Sequence, residues 1–328
     1  MSNPRRPDDT PSPAAPHRRA YELDAPTPAS TLLHGARPVA LVTGAARRIG
    51  RRIALELARA GFDIALHHRG SDAQSHVDAQ SAAAEMRDLG ARVELFHADF
   101  ADAAETAALL PAIALRFGRV DAVVNSASRF EYDSPQAFDP ALLESLVRSN
   151  TVAPIVLAQA LAVQVAQQPP LADTAANARV TPCVVNILDQ KLSNPNPDYF
   201  SYTLTKAALQ HATLLLAQAL APAVRVCGVS PGITLVSGPM DENEFAQAHK
   251  LTALGRSSTP DDIARAVRFL VESPAITGID LAVDGGQHLV GQPRDVLFLA
   301  QADLVDAQAR DRSGADIDTP SSNSPDAR

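Results

Sequence analysis

The chain has 328 residues, a formal net charge of −8, 46% hydrophobic residues and 20% charged ones. That balance fills the core of one large or two ordinary domains. It argues against general affinity for nucleic acid, because no long basic run offsets the acidic excess. The two cysteines, Cys183 and Cys227, lie in apolar strand-like runs and read as buried small hydrophobes in a reducing compartment. No apolar run approaches the ~20 residues of a membrane span. The opening MSNPRRPDDTPSPAAPHRR sets arginines beside Asp8 and Asp9 without an apolar stretch, a poor signal peptide. A soluble cytoplasmic protein with no membrane partner is the expectation.

Residues 1–37 are rich in Pro, Ala, Ser, Asp and Arg and read as a disordered tail. PVALVTG then forms a short buried strand, and RRIGRRIALELARAGF an amphipathic helix ended by Gly61. DIALHHRG is a second strand, followed by a helix over 75–89 with Gly90 as its stop. RVELFHADF, VDAVVNSA, CVVNILD, VRVCGVSPG and DLAVDGG are five further strands, with Ala/Leu-rich helices between them. Short apolar strands alternating with helices predict a parallel sheet covered on both faces. The fold class is therefore α/β, doubly wound, in one domain over 38–290. PPLADTAANAR is an insertion-like loop. In the extension 291–328, RDVLFLAQADLVDAQAR has apolar residues at helical spacing, and the end from about residue 313 reads as disordered.

Three motifs carry chemistry. TGAARRIG, 43–50, joins the first strand to the first helix. A glycine turn there lets backbone N–H groups and a helix N-terminus approach a pyrophosphate, which nominates Gly44, Arg48, Ile49 and Gly50. At the end of the second strand, LHHRGS offers His68, Arg69 and Ser71 where an NAD site places a carboxylate for the ribose. Basic and hydroxyl groups suit a 2′-phosphate, so NADPH is the expected cofactor; no metal is expected. Third, Tyr202 has Lys206 four residues later. On a helix the two share a face, and a nearby ammonium lowers a phenol's pKa towards useful proton transfer. Tyr199 has Thr203 at that spacing and is the weaker candidate.

TGxxx(x)xG, a strand ending HADF, VNSAS, Asn150 in a helix, Y-x-x-x-K and SPG together resemble the short-chain dehydrogenase/reductase superfamily over 38–290. The resemblance implies a Rossmann-type sheet with the nicotinamide cofactor across its C-terminal edge. It implies Tyr202 as proton donor, Lys206 on the nicotinamide ribose, Asn150 positioning a lysine-linked water and Asp99 at the adenine. It also implies Asn125, Ala127, Pro231 and Gly232 along the cofactor, a loop over 232–256 closing on substrate, and a homotetramer.

The departures narrow the function. The superfamily usually has a serine thirteen residues before the tyrosine, where this chain has Asp189. A carboxylate opposes charge developing on a carbonyl oxygen but suits a ring nitrogen that must gain a proton. Arg48 stands where glycine is usual, and NSASRF places Ser128 and Phe130 beyond the fourth strand, the ring able to stack on a flat heterocycle. This set is similar to pteridine reductases and bacterial dihydromonapterin/dihydrofolate reductases. Their pterin site maps onto Arg48, Ser128, Phe130, Asp189, Tyr202 and Lys206, with the pterin between the phenylalanine and the nicotinamide. The resemblance implies NADPH-dependent reduction of a small-molecule pterin or folate. A carbonyl reductase acting on a 3-oxoacyl thioester or a sugar is the alternative that Asp189 and Arg48 oppose. A non-catalytic NADPH-sensing protein is the alternative that the intact Tyr202/Lys206 pair opposes.

Overall fold

A computed structural model of the protein describes residues 37–70, 72–167, 181–236 and 241–301. Seven parallel strands form one sheet in the order β3-β2-β1-β4-β5-β6-β7. They are β1 (Val39–Val42), β2 (Asp63–His68), β3 (Val93–His97), β4 (Ala122–Asn125), β5 (Cys183–Ile187), β6 (Arg225–Pro231) and β7 (Asp280–Val283). These are the seven runs expected from sequence. The chain builds outward from β1 to β3, then returns to β4 on the other side of β1. That reversal opens a crevice beyond the C-terminal strand ends, where α/β sheets bind ligands.

Side chains alternate across the strands and divide between two cores. Ala40, Val42, Ile64, Leu66 and Val124 face α1 (Arg48–Arg59), α2 (Ala73–Asp88) and α8 (Pro260–Glu272). Leu41, Ala65, Val123 and Val184 face α3 (Ala103–Phe117), α5 (Ala153–Gln167) and α6 (Phe200–Leu220). Both faces are thus covered, which explains why the strands read as continuous apolar runs. Cys183 and Cys227 are buried and unpaired as thiols.

α4 (Pro140–Val147) runs into α5 through one wide π turn, Arg148–Val152. The continuous helix Pro140–Gln167 is, by length and composition, long and apolar enough to cross a membrane, although no unbroken apolar run announced it. Half of its most apolar window is buried, and Ala153, Leu157, Ala158 and Leu161 spend that apolarity on the second core. Of the C-terminal extension, residues 296–301 are helical, matching the start of the expected helix. The expected tails, the 169–179 insertion and Ser71 lie outside the described residues.

Candidate active site

The crevice is a cleft of about 630 Å³, and its first end is made of backbone. Thr43 Oγ1 accepts from the N–H groups of Ser126 and Ala127 at 2.9 Å, tying the ends of β1 and β4 together. Gly44 follows with φ +65°, and a Cβ there would lie 3.1 Å from Ala127 Cα. A Cβ on Gly50 would lie 2.4 Å from the Gly44 carbonyl oxygen. Both positions therefore require glycine. The N-cap of α1, Arg47, makes no side-chain capping bond, and Arg48, Ile49 and Gly50 line the cleft. Free N–H groups and the helix dipole at that point suit an anion. Arg48 holds φ +54°, a left-handed conformation costing a non-glycine residue ~1–2 kcal/mol. Its guanidinium crosses the cleft and donates to the Val236 carbonyl at 3.0 Å.

His67, which the sequence motifs passed over, braces this turn. Gly44 N–H can only donate and does so to His67 Nδ1 at 3.1 Å; the Ala98 carbonyl can only accept, 3.0 Å from Nε2. The ring is therefore the neutral Nε2–H tautomer, stacked on Phe100 at 4.5 Å. Burial drives its pKa down to about 4, against the pull of the Ala98 carbonyl. Arg69 lines the cleft here together with Arg47, while His68 does not. The expected contact from His68 gives way because its ring is buried beside His76 and His97. Asp99 lines the same end, its carboxylate accepting from Ala101 N–H at 2.9 Å.

The middle of the cleft is set by β5 and α6. Asp189, just past β5, caps a single 3-10 turn, Gln190–Leu192. Its Oδ1 accepts from Lys191 N–H at 2.9 Å and its Oδ2 from the Tyr202 hydroxyl at 2.9 Å. Folding thus has a use for a cap at 189, but serine caps equally well, so the charge is explained by Tyr202. α6 begins after Tyr199, whose φ is +52° and whose side chain caps nothing. The cap comes from the loop after β4 instead. Asp133 accepts from Ser201 N–H at 2.9 Å and Ser201 Oγ at 2.5 Å. Lys206, one turn beyond Tyr202, donates to the Ile187 carbonyl at 2.8 Å.

The electrostatics differ from the sequence expectation that Lys206 brings the phenol down. Burial, then the Asp189 carboxylate, push the Tyr202 pKa well above its ordinary value. Tyr202 therefore keeps its proton and is able to donate it. Burial also raises Asp189, against the Lys191 N–H, the Tyr202 hydroxyl and the ammonium of Lys206. Lys206 is itself drawn down to about 8 by burial, with Asp189 opposing. The three groups form one coupled set.

At the far end, Phe130 is 41% exposed. One face stacks on Tyr199, centroids 4.2 Å apart, and Tyr202 meets it edge-on at 4.7 Å. Tyr199, the tyrosine without a lysine, is thus the backing of the aromatic wall. Ser128, Pro231 and Gly232 line the cleft, with Ala127. Asn150 and Asn125 do not. Asn150, on the π turn, accepts from Arg129 N–H and Ser128 Oγ and donates to the Arg129 carbonyl and Thr205 Oγ1. Its side chain's capacity is used, so the side chain is a strut between the loop after β4 and α6. Asn125 is buried beneath the cofactor end and donates to Asn186. Lys191, Asp133 and the extension residues Arg294 and Asp295 carried no local motif, and Arg47 and His67 sat unremarked inside TGAARRIG and LHHRGS. For the first four, a cation or carboxylate outside the strands was the only signal.

The family model described as enoyl-(acyl carrier protein) reductase matches residues 44–288. The chain is 33% identical to pteridine reductase 1 of Leishmania tarentolae, covering 77% of this chain and 96% of that protein. It is 29% identical to the 3-oxoacyl-[acyl-carrier-protein] reductase FabG of Staphylococcus aureus, covering 76% and 98%. Among solved structures, FolM alternative dihydrofolate reductase 1 from Brucella canis, complexed with NADP, is 34% identical with a TM-score of 0.70, covering 81% of this chain and 98% of that one. With the glycine turn, the Tyr202/Lys206 pair and the seven-stranded sheet, the chain belongs to the short-chain dehydrogenase/reductase family of oxidoreductases.

Proposed function

We propose that the protein is an NADPH-dependent pterin reductase, converting a dihydropterin, and with it dihydrofolate, to the tetrahydro form. The observation that carries this is the Asp189 carboxylate, hydrogen-bonded to the Tyr202 hydroxyl at 2.9 Å. The cofactor end supports NADPH: the uncapped N-terminus of α1 and the backbone around Gly44 suit the pyrophosphate. Arg47 and Arg69 line the stretch nearest the end of β2 and suit the 2′-phosphate. Lys206, Pro231 and Gly232 line the cleft further along and suit the nicotinamide half.

NADPH supplies the hydride when bound. The exposed face of Phe130 offers a flat aromatic surface for a fused heterocycle. Tyr202, held protonated, gives its phenolic proton to the ring nitrogen, and the neighbouring carbon takes the hydride, so C=N becomes CH–NH. Asp189 favours the nitrogen's side of that step because its negative charge stabilises a nitrogen gaining a proton, while the Lys206 ammonium, 5.7 Å from the Tyr202 ring, offsets its cost to the phenolate left behind. The Asp189 charge would oppose an oxyanion growing from a carbonyl. This favours pterin over the 3-oxoacyl substrate of the FabG relative.

Assembly as a homotetramer belongs to the same proposal. Leu214 and Leu215 on α6 and Val152 and Val163 by α5 are exposed, and light scattering reads the result. The substrate is tested by following NADPH oxidation with dihydrobiopterin, dihydrofolate and a 3-oxoacyl thioester side by side, with methotrexate as competitor. Pterin turnover blocked by methotrexate supports the proposal; turnover of the thioester alone overturns it.

A further inference from the structure

The C-terminal extension returns to the cleft. Beyond β7, Gln287 Oε1 accepts from Ile233 N–H at 3.0 Å, and the His288 carbonyl accepts from Asn194 Nδ2. The chain then reaches Arg294, whose fork grips the Asp198 carboxylate, Nε at 2.8 Å and a terminal nitrogen at 2.9 Å. Asp295 N–H adds a third bond to Asp198 at 2.8 Å. Lys191 donates to the Asp198 carbonyl at 2.5 Å and to the Asp295 carboxylate at 3.3 Å. The side chains of Asp198 and Lys191 are only 5% and 6% exposed. Past this knot, Leu297 and Ala300 pack with Ala248 of α7 (Glu242–Lys250), against Phe245 and Ile233. Phe298 meets Tyr132, which meets Tyr199, the backing of Phe130.

One short segment therefore touches both walls of the cleft. Its ionic end holds the linker between Asp189 and Tyr202, and its apolar end holds α7 and Ile233. We propose that residues 291–301 are an internal clamp that sets the width of the substrate end, with Arg294 and Asp198 as its positioning pair and flat fused-ring substrates as the class it admits. This rests on that end of the cleft being the substrate site and deepens the pterin proposal. Apolar packing alone would moor the segment anywhere on α7. A bidentate guanidinium–carboxylate pair fixes direction as well as contact. Because Asp198 is enclosed, losing Arg294 leaves its carboxylate with the Asp295 N–H and the nearby Lys191 ammonium alone, a larger loss than that of a solvent-exposed pair.

The test uses the full chain with Arg294→Ala, Asp198→Asn and the double variant, assayed with dihydrobiopterin and NADPH. KM for the pterin should rise about tenfold and kcat should change less than about twofold, with NADPH affinity, read by fluorescence, unchanged. The double variant should match the singles because the pair acts as a unit, and Arg294→Lys should recover part of the loss. An unchanged KM in Arg294→Ala overturns the clamp, as does an equal loss of NADPH affinity. Amide exchange separates this from failure of the pterin proposal, since it needs no turnover. Faster exchange in both 190–199 and 242–250 of Arg294→Ala supports the clamp, and unchanged exchange in either overturns it.

Discussion

The two ends of the cleft are built by different means. At the cofactor end, backbone does the holding: Gly44 and Gly50 have no room for a Cβ, Thr43 ties the turn to the N–H groups after β4, and His67 accepts from the Gly44 N–H. At the substrate end, side chains from separate segments converge: Phe130 after β4, Asp189 after β5, Tyr202 on α6 and Arg294 in the extension. Backbone recognition serves a ligand common to many family members. Side chains on loops can be exchanged without disturbing the sheet, so that end carries the choice of substrate.

Substitutions should separate the two ends. Tyr202→Phe removes the proton donor and should lower kcat by about a thousandfold, while NADPH binding measured by fluorescence stays near that of the parent chain. His67→Ala should do the reverse: NADPH affinity falls about tenfold as the Gly44 turn loses its acceptor, and pterin KM is unchanged. His67→Asn, able to accept from Gly44, should recover part. If both variants damage both ligands equally, the division is wrong.

Titration sharpens the middle of the cleft, where the ends meet. Lys206 is charged below its pKa of about 8 and neutral above it. If its ammonium is the working form, kcat/KM should fall as pH rises through about 8, by up to about tenfold per unit. Tyr202 stays protonated throughout that window. A profile flat to about pH 9.5 contradicts a lowered Lys206 pKa governing turnover, because a lysine at its ordinary value stays charged there. The smallest effect should come from Asp133→Ala, which uncaps α6. Thermal or urea unfolding should show a loss of about 1–2 kcal/mol with the cofactor affinity intact.

What the sequence discloses follows the range of each contact. The seven strands are legible because each is a short apolar run between turn signals. Tyr202 and Lys206 are legible because helix geometry brings residues four apart together. Asp189 is visible as a carboxylate where a serine is usual, although its bond to Tyr202 needs the structure. His67, Asp133 and Arg294 are illegible for the opposite reason: their partners lie 23, 68 and 96 residues away. Asn150 shows what resemblance leaves out: its side chain braces the loop after β4 against α6 through partners 21 and 55 residues away. The Asp189 carboxylate and the Lys206 ammonium are legible as opposing pulls on the Tyr202 pKa, but which prevails is not, because it depends on enclosure, which no spacing reports.

The central claim is that the Asp189 charge selects a pterin over a carbonyl. Its most direct test is Asp189→Ser in the full chain, measuring dihydropterin turnover and NADPH binding on the same preparation. Serine keeps the cap on the 3-10 turn and restores the residue usual in the family. The account predicts that pterin reduction is lost while NADPH still binds; unchanged pterin turnover would contradict it.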